Sequence, residues 1–76
     1  MKNIEYVQFD IWNTEYKQQA QKLLAMGYMY NGIDRSELPQ MLIFVWPFTP
    51  DMKRKAMHQR STGILRIQND YIEIYR

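Results

Sequence analysis

Residues 40–47 read QMLIFVWP, six apolar residues between a glutamine and a proline. In a β-strand successive side chains point to opposite faces. Met41, Ile43 and Val45 would share one face, and Leu42, Phe44 and Trp46 the other. Both faces are apolar, so both need cover. The chain has only 76 residues. A chain of this size buries about 60% of the surface it exposes when unfolded, and its core supplies roughly 3–5 kcal/mol. Three answers are open for the second face. The loop at 31–39 and the segment 47–49 can fold over it, a protein partner or a second copy can cover it, or nucleic-acid bases can stack on it.

The other elements follow from periodicity and punctuation. Residues 3–11 alternate as a half-buried strand, with Val7, Phe9 and Ile11 on one face beside Glu5. Asn13 or Thr14 can cap a helix over 14–26, with Glu15 in its first turn and Gly27 as the stop. Tyr16, Ala20, Leu23 and Leu24 form its apolar stripe. Tyr28-Met29-Tyr30 reads as a short strand ended by Asn31-Gly32, and 31–39 as a polar loop. Strand 41–46 ends at Pro47. Thr49-Pro50-Asp51 starts a helix over 50–59, with Met52, Ala56 and Met57 inward and Ser61-Thr62-Gly63 as its breaker.

The C-terminal ILRIQ and YIEIY read as a hairpin around Asn69-Asp70. In that register Ile67 faces Ile72, Arg66 faces Glu73 and Leu65 faces Ile74. The order is β-α-β-β-α-β-β. It predicts one α+β domain over 1–76, a two-layer sandwich with an antiparallel or mixed sheet and two helices on one face. Its first six elements match a ferredoxin-like order.

The chemistry of the chain points away from catalysis. There is no cysteine and one histidine, so no disulfide, no thiolate site and no zinc site is expected. His58 has no carboxylate at helical spacing to orient it, and the carboxylates are scattered. With three glycines there is no phosphate-cradling loop. No catalytic residue, cofactor or metal is expected. The opening MKNIEYVQFDIW lacks a long apolar core and a cleavage site, so no secretory signal is expected. No run approaches the roughly 18 residues that span a bilayer, and no membrane partner is expected. These traits suit a cytoplasmic protein.

Lys53, Arg54, Lys55, His58 and Arg60 form a basic cluster opposed only by Asp51. A net charge of +2 is compatible with nucleic-acid binding without demanding it. Phe44 and Val45 stand in the relation found in the third strand of RNA-recognition domains. Gln40, Met41, Ile43 and Pro47 depart from that signature.

The segment AQKLLAMGYMYNG resembles a pattern of small bacteriophage accessory proteins: an amphipathic helix, then Gly-aromatic-x-aromatic-x-Gly, a strand and a C-terminal hairpin. Leu23, Leu24, Gly27, Tyr28, Tyr30 and Gly32 carry it. The resemblance implies a host-takeover or counter-defence protein, anti-CRISPR proteins being one such class, that binds and inhibits a bacterial protein in the host cytoplasm. The family shares no site residues to transfer, so the site is read from the surface. Phe44, Trp46, Tyr71 and Tyr75, backed by Lys53 and Arg54, are the expected partner contacts. Lys53, Arg54, Lys55, His58 and Arg60 are the expected contacts of a nucleic-acid binder. A homodimeric interaction module that closes its own sheet face is the third reading.

Overall fold

The computed structural model describes residues 2–75. The elements run β1 (Ile4–Gln8), α1 (Glu15–Met26), β2 (Met29–Asp34), β3 (Met41–Val45), α2 (Pro50–Thr62), β4 (Ile64–Ile67) and β5 (Asp70–Glu73). This is the expected α+β order. The strands divide into two antiparallel sheets, a three-stranded β1-β3-β2 and a two-stranded β4-β5. β3 is thus the central strand between two partners. A ferredoxin-like sheet would take its fourth strand along β1. Here β4 pairs with β5 instead, and among the described residues that edge of β1 has no strand neighbour.

The central strand settles which face is inside. Val7 of β1 lies opposite Leu42, and Tyr30 of β2 lies opposite Phe44. These four are buried with Tyr16, Ala20 and Leu24 of α1 and with Leu65, Ile67 and Ile74 of the hairpin. So α1 and the hairpin together form the layer over one face of the sheet. Burial of Leu- or Phe-sized side chains contributes about 1.5–3 kcal/mol each, before entropy is counted. The helix ends are built as the residues dictate. Gly27 and Gly63 both take left-handed backbone, at φ 109° and 68°. The Thr49 hydroxyl accepts from the Met52 amide. At α1, Asn13 supplies the oxygen, accepting from the Glu15 amide, while the Thr14 side chain makes no cap bond.

Four expectations are corrected. First, β1 ends at Gln8, and Ile11 beyond it is exposed. Second, β2 does not stop at Asn31-Gly32. It runs on to Asp34 through a bulge between Tyr30 and Ile33, where Gly32 takes φ 121°. A bulge gives the turn residues a place inside a strand, which shortens the loop before β3. Third, α2 runs through Ser61 and Thr62, whose hydroxyls both donate to the His58 carbonyl. Met57 on that helix is exposed.

Fourth, the hairpin register differs by two. Leu65 pairs with Ile72, Arg66 with Tyr71 and Ile64 with Glu73, so Arg66 and Glu73 are not opposed. The loop is Gln68-Asn69, with Gln68 at φ 60°. A two-residue slip preserves which side chains face inward, so the apolar pattern fits both registers.

α2 is fixed by one buried polar residue. The Gln59 side-chain oxygen accepts from the Tyr30 amide at 2.8 Å, and its nitrogen donates to the Tyr30 carbonyl at 3.0 Å. Gln59 therefore completes the outer edge of β2 as a neighbouring strand would. Among the described residues, no helix is long and apolar enough to cross a membrane. Replacing Gln59→Ala strands a buried amide and a buried carbonyl, each costing about 1–3 kcal/mol. Urea denaturation should show a loss of at least about 2 kcal/mol, and Gln59→Leu should not recover it.

Candidate functional site

The sheet face away from α1 and the hairpin is carried by the alternate residues of the three strands. Ile4 lies opposite Val45, Tyr6 opposite Ile43 and Gln8 opposite Met41. Met29, opposite Val45 on the other side, is buried. Met41, Ile43 and Val45 are half-buried. Toward the edge the cover thins, with Ile4 46% and Tyr6 57% exposed. At one end of this face Phe48 and Met52 join Ile4, Val45 and Trp46 around a groove of about 510 Å³. Phe48 is 77% exposed. It follows Pro47, which is buried and anchors the turn between β3 and α2. The result is a row of apolar side chains that the described residues cover only in part, with Met29 buried, Met41, Ile43 and Val45 half-buried and Ile4 and Tyr6 exposed. Grouped apolar exposure of this kind marks interaction surfaces, whereas scattered exposed hydrophobics do not.

The expected contact residues are distributed differently. Phe44 is fully buried, with its ring 5.5 Å from that of Tyr30, so it is core and unavailable to a partner. The physical reason is its register opposite Tyr30, which turns it under α1 and the hairpin. Trp46 is half-buried. Its ring meets Tyr28 edge-on at 5.3 Å and closes over Gly27, where an added Cβ would sit 3.2 Å from it. Tyr75 is half-buried and occupies the space a side chain at Gly63 would need. Tyr71 is 71% exposed, but it belongs to the hairpin and not to the open sheet face.

The basic cluster is split by the helical turn. Lys53 and Arg60 line a groove with Gly27, Trp46 and Phe48. Arg60 also donates to the Leu24 carbonyl at 3.3 Å, closing the end of α1. Arg54 pairs with Asp51 one turn earlier. Lys55 and His58 point the other way, toward Ile64, Arg66 and Tyr71 around a groove of about 550 Å³. The cations therefore do not form one face, and Arg60 serves the fold. The sequence left both faces of β3 and β1 open and favoured Phe44 and Trp46; it did not single out Ile4, Tyr6, Ile43 or Val45, and it did not mark Phe48. The exposed aromatic between Pro47 and Pro50 was the available signal, since a residue held between two prolines at a strand-to-helix turn has little core within reach.

No family model, curated protein or solved structure matches this chain.

Buried tyrosines lie beneath these surfaces. The Tyr30 hydroxyl is buried and has no hydrogen-bond partner among the described residues. Burial disfavours its charged form and pushes it up to about 12, partly opposed by Arg35. Burial also raises Tyr16. The raised value means that the folded state holds its phenol proton more tightly than the unfolded chain does. The associated stability is present below the ordinary phenol value of 10.0 and is lost as pH rises from there toward about 12. Tyr30→Phe should raise stability at neutral pH by roughly 1 kcal/mol, by removing an unpaired buried hydroxyl. It should also flatten the decline above pH 10, as read by thermal melts across the alkaline range.

Proposed function

We propose that this chain is a non-enzymatic protein-binding domain that docks on a bacterial host protein and inhibits it, as small phage accessory proteins do, anti-CRISPR proteins among them. The observation that carries this reading is the open sheet face of Ile4, Tyr6, Ile43 and Val45, extended by Phe48. Tyrosine and phenylalanine offer large contact area with few rotatable bonds, and interface cores are rich in them. Half-buried β-branched residues around them supply a flat apolar floor. The site of action on this reading is the bacterial cytoplasm. Lys53 and Arg54, at the start of α2 beyond Phe48, would act at the rim, where charges steer association more than they hold it.

The binding surface thus moves from Phe44 and Trp46 to the neighbouring residues on the opposite face. Tyr6→Glu and Phe48→Asp remove exposed side chains, so both variants should fold. As hot spots each should weaken partner binding by about 2 kcal/mol or more, roughly thirtyfold. The measurement is a tagged pull-down from nuclease-treated bacterial lysate, followed by titration of the recovered protein. A stoichiometric host protein lost on both substitutions supports the reading. A partner retained by the folded double variant overturns it.

A second reading has its own observation. Tyr71 is exposed and shares its groove with Lys55, His58 and Arg66. An aromatic for stacking among cations for phosphates is the arrangement of a single-strand nucleic-acid site. This reading predicts binding that weakens steeply with salt and is lost in Lys55→Glu/Arg66→Glu. Binding that ignores both would remove it.

A further inference from the structure

The two edges of the three-stranded sheet are treated differently. The β2 edge is closed by Gln59, whose amide pairs with both backbone groups of Tyr30, and it is broken by a bulge. The β1 edge has neither device. The Trp46 amide donates to Asn3 and the Phe9 amide donates to Gln40, so the odd-numbered residues of β1 turn their backbone groups toward β3. Ile4, Tyr6 and Gln8 therefore aim their N–H and C=O groups outward. Among the described residues no loop or side chain bonds to them. Folded proteins usually blunt such an edge with a proline, a lysine, an inward charge, a bulge or a covering segment, and of these β1 carries only the half-buried Glu5, whose side chain turns to the inner face and leaves the outward backbone groups free. Within 4–8 there is no proline, lysine or bulge.

We infer that β1 pairs with β1 of a second copy, antiparallel and about a two-fold axis at Tyr6. This rests on the free edge and does not depend on the host-protein reading. The register is chosen by the sequence. Centring on Tyr6 sets Ile4 opposite Gln8 of the other copy and Tyr6 opposite Tyr6, so every outward N–H meets an outward C=O. Just outside the ladder, it brings Lys2 of one copy near Asp10 of the other, opposite charges flanking each end, with the Asp10 carboxylate also accepting from its own Trp12 amide. Such an interface is isologous, as closed dimers require. The two three-stranded sheets become one continuous sheet. The exposed Ile4 and Tyr6 side chains of both copies lie side by side on its open face, where cross-strand aromatic pairs add stability.

The test is sedimentation velocity on the purified full chain over a range of concentrations. The expected species has twice the 9.3 kDa chain mass. Tyr6→Pro removes one outward N–H and leaves the β1–β3 bonds intact, so a folded Tyr6→Pro protein should be monomeric. Because proline can disturb a strand, a charge reversal gives a second reading. Lys2→Asp should weaken dimerisation about tenfold, and added salt should weaken the wild-type dimer but not the Lys2→Asp one. Residue-resolved amide exchange should show Tyr6 and Gln8 protected only as concentration rises. A monomeric mass at every concentration overturns the proposal. So does a dimer unchanged in folded Tyr6→Pro, or one indifferent to Lys2→Asp.

Discussion

The pairing of the Gln59 side chain with the Tyr30 peptide fixes the arrangement on which the surface depends. A carboxamide presents one donor and one acceptor at the spacing of a peptide group, so it can stand in for a strand at a sheet edge. By doing so it seats α2 along β2. From that seat the helix reaches the Phe48 end of the open sheet face through Met52. It also turns Lys53 and Arg60 toward Trp46, and Lys55 and His58 toward the hairpin. One buried amide thus decides which edge is closed and how the basic residues are divided.

The element order was legible because each boundary has a local chemical cause. Thr49-Pro50-Asp51 begins α2, and Gly27 and Gly63 end the two helices with left-handed backbone. The face of β3 was not legible. Met-Leu-Ile-Phe-Val-Trp is apolar at every position, so period-two patterning carries no information about which set is inside. Glu5 misleads in the same way. It shares a face with Val7, yet it lies on an edge strand and is only half-buried. The hairpin register was hidden for a related reason, since a slip of two leaves Leu65, Ile67, Ile72 and Ile74 facing inward.

Most of the candidate site was therefore out of reach of periodicity alone. Tyr71, Lys53, Arg54, Lys55 and His58 are exposed as their polar neighbours suggest, while Arg60 is half-buried. Phe44 was assigned to the surface because aromatics are common in interfaces, but the same residue type fills small cores. Here it sits beside Tyr30, while Trp46 sits against Tyr28 and Phe9 against Tyr16. These edge-on and tilted pairs absorb much of the aromatic content, and the remaining exposed aromatics, Tyr6, Trp12, Phe48 and Tyr71, are the informative ones.

β1 carries two exposures at once, and they have a common origin. Its even-numbered residues send their side chains to the open face and their backbone groups to the free edge. A partner that adds a strand to the edge therefore also lies against Ile4 and Tyr6, and a partner seated on the face reaches the unpaired backbone. Binding at either place dehydrates the other. Apolar cover over a backbone hydrogen bond lowers the local dielectric and strengthens it, so ladder and side-chain contacts reinforce each other on this strand. With only α1 and the hairpin available to cover a sheet, the chain closes one face and one edge. The face and the edge that remain open meet at β1, where a single partner can satisfy both.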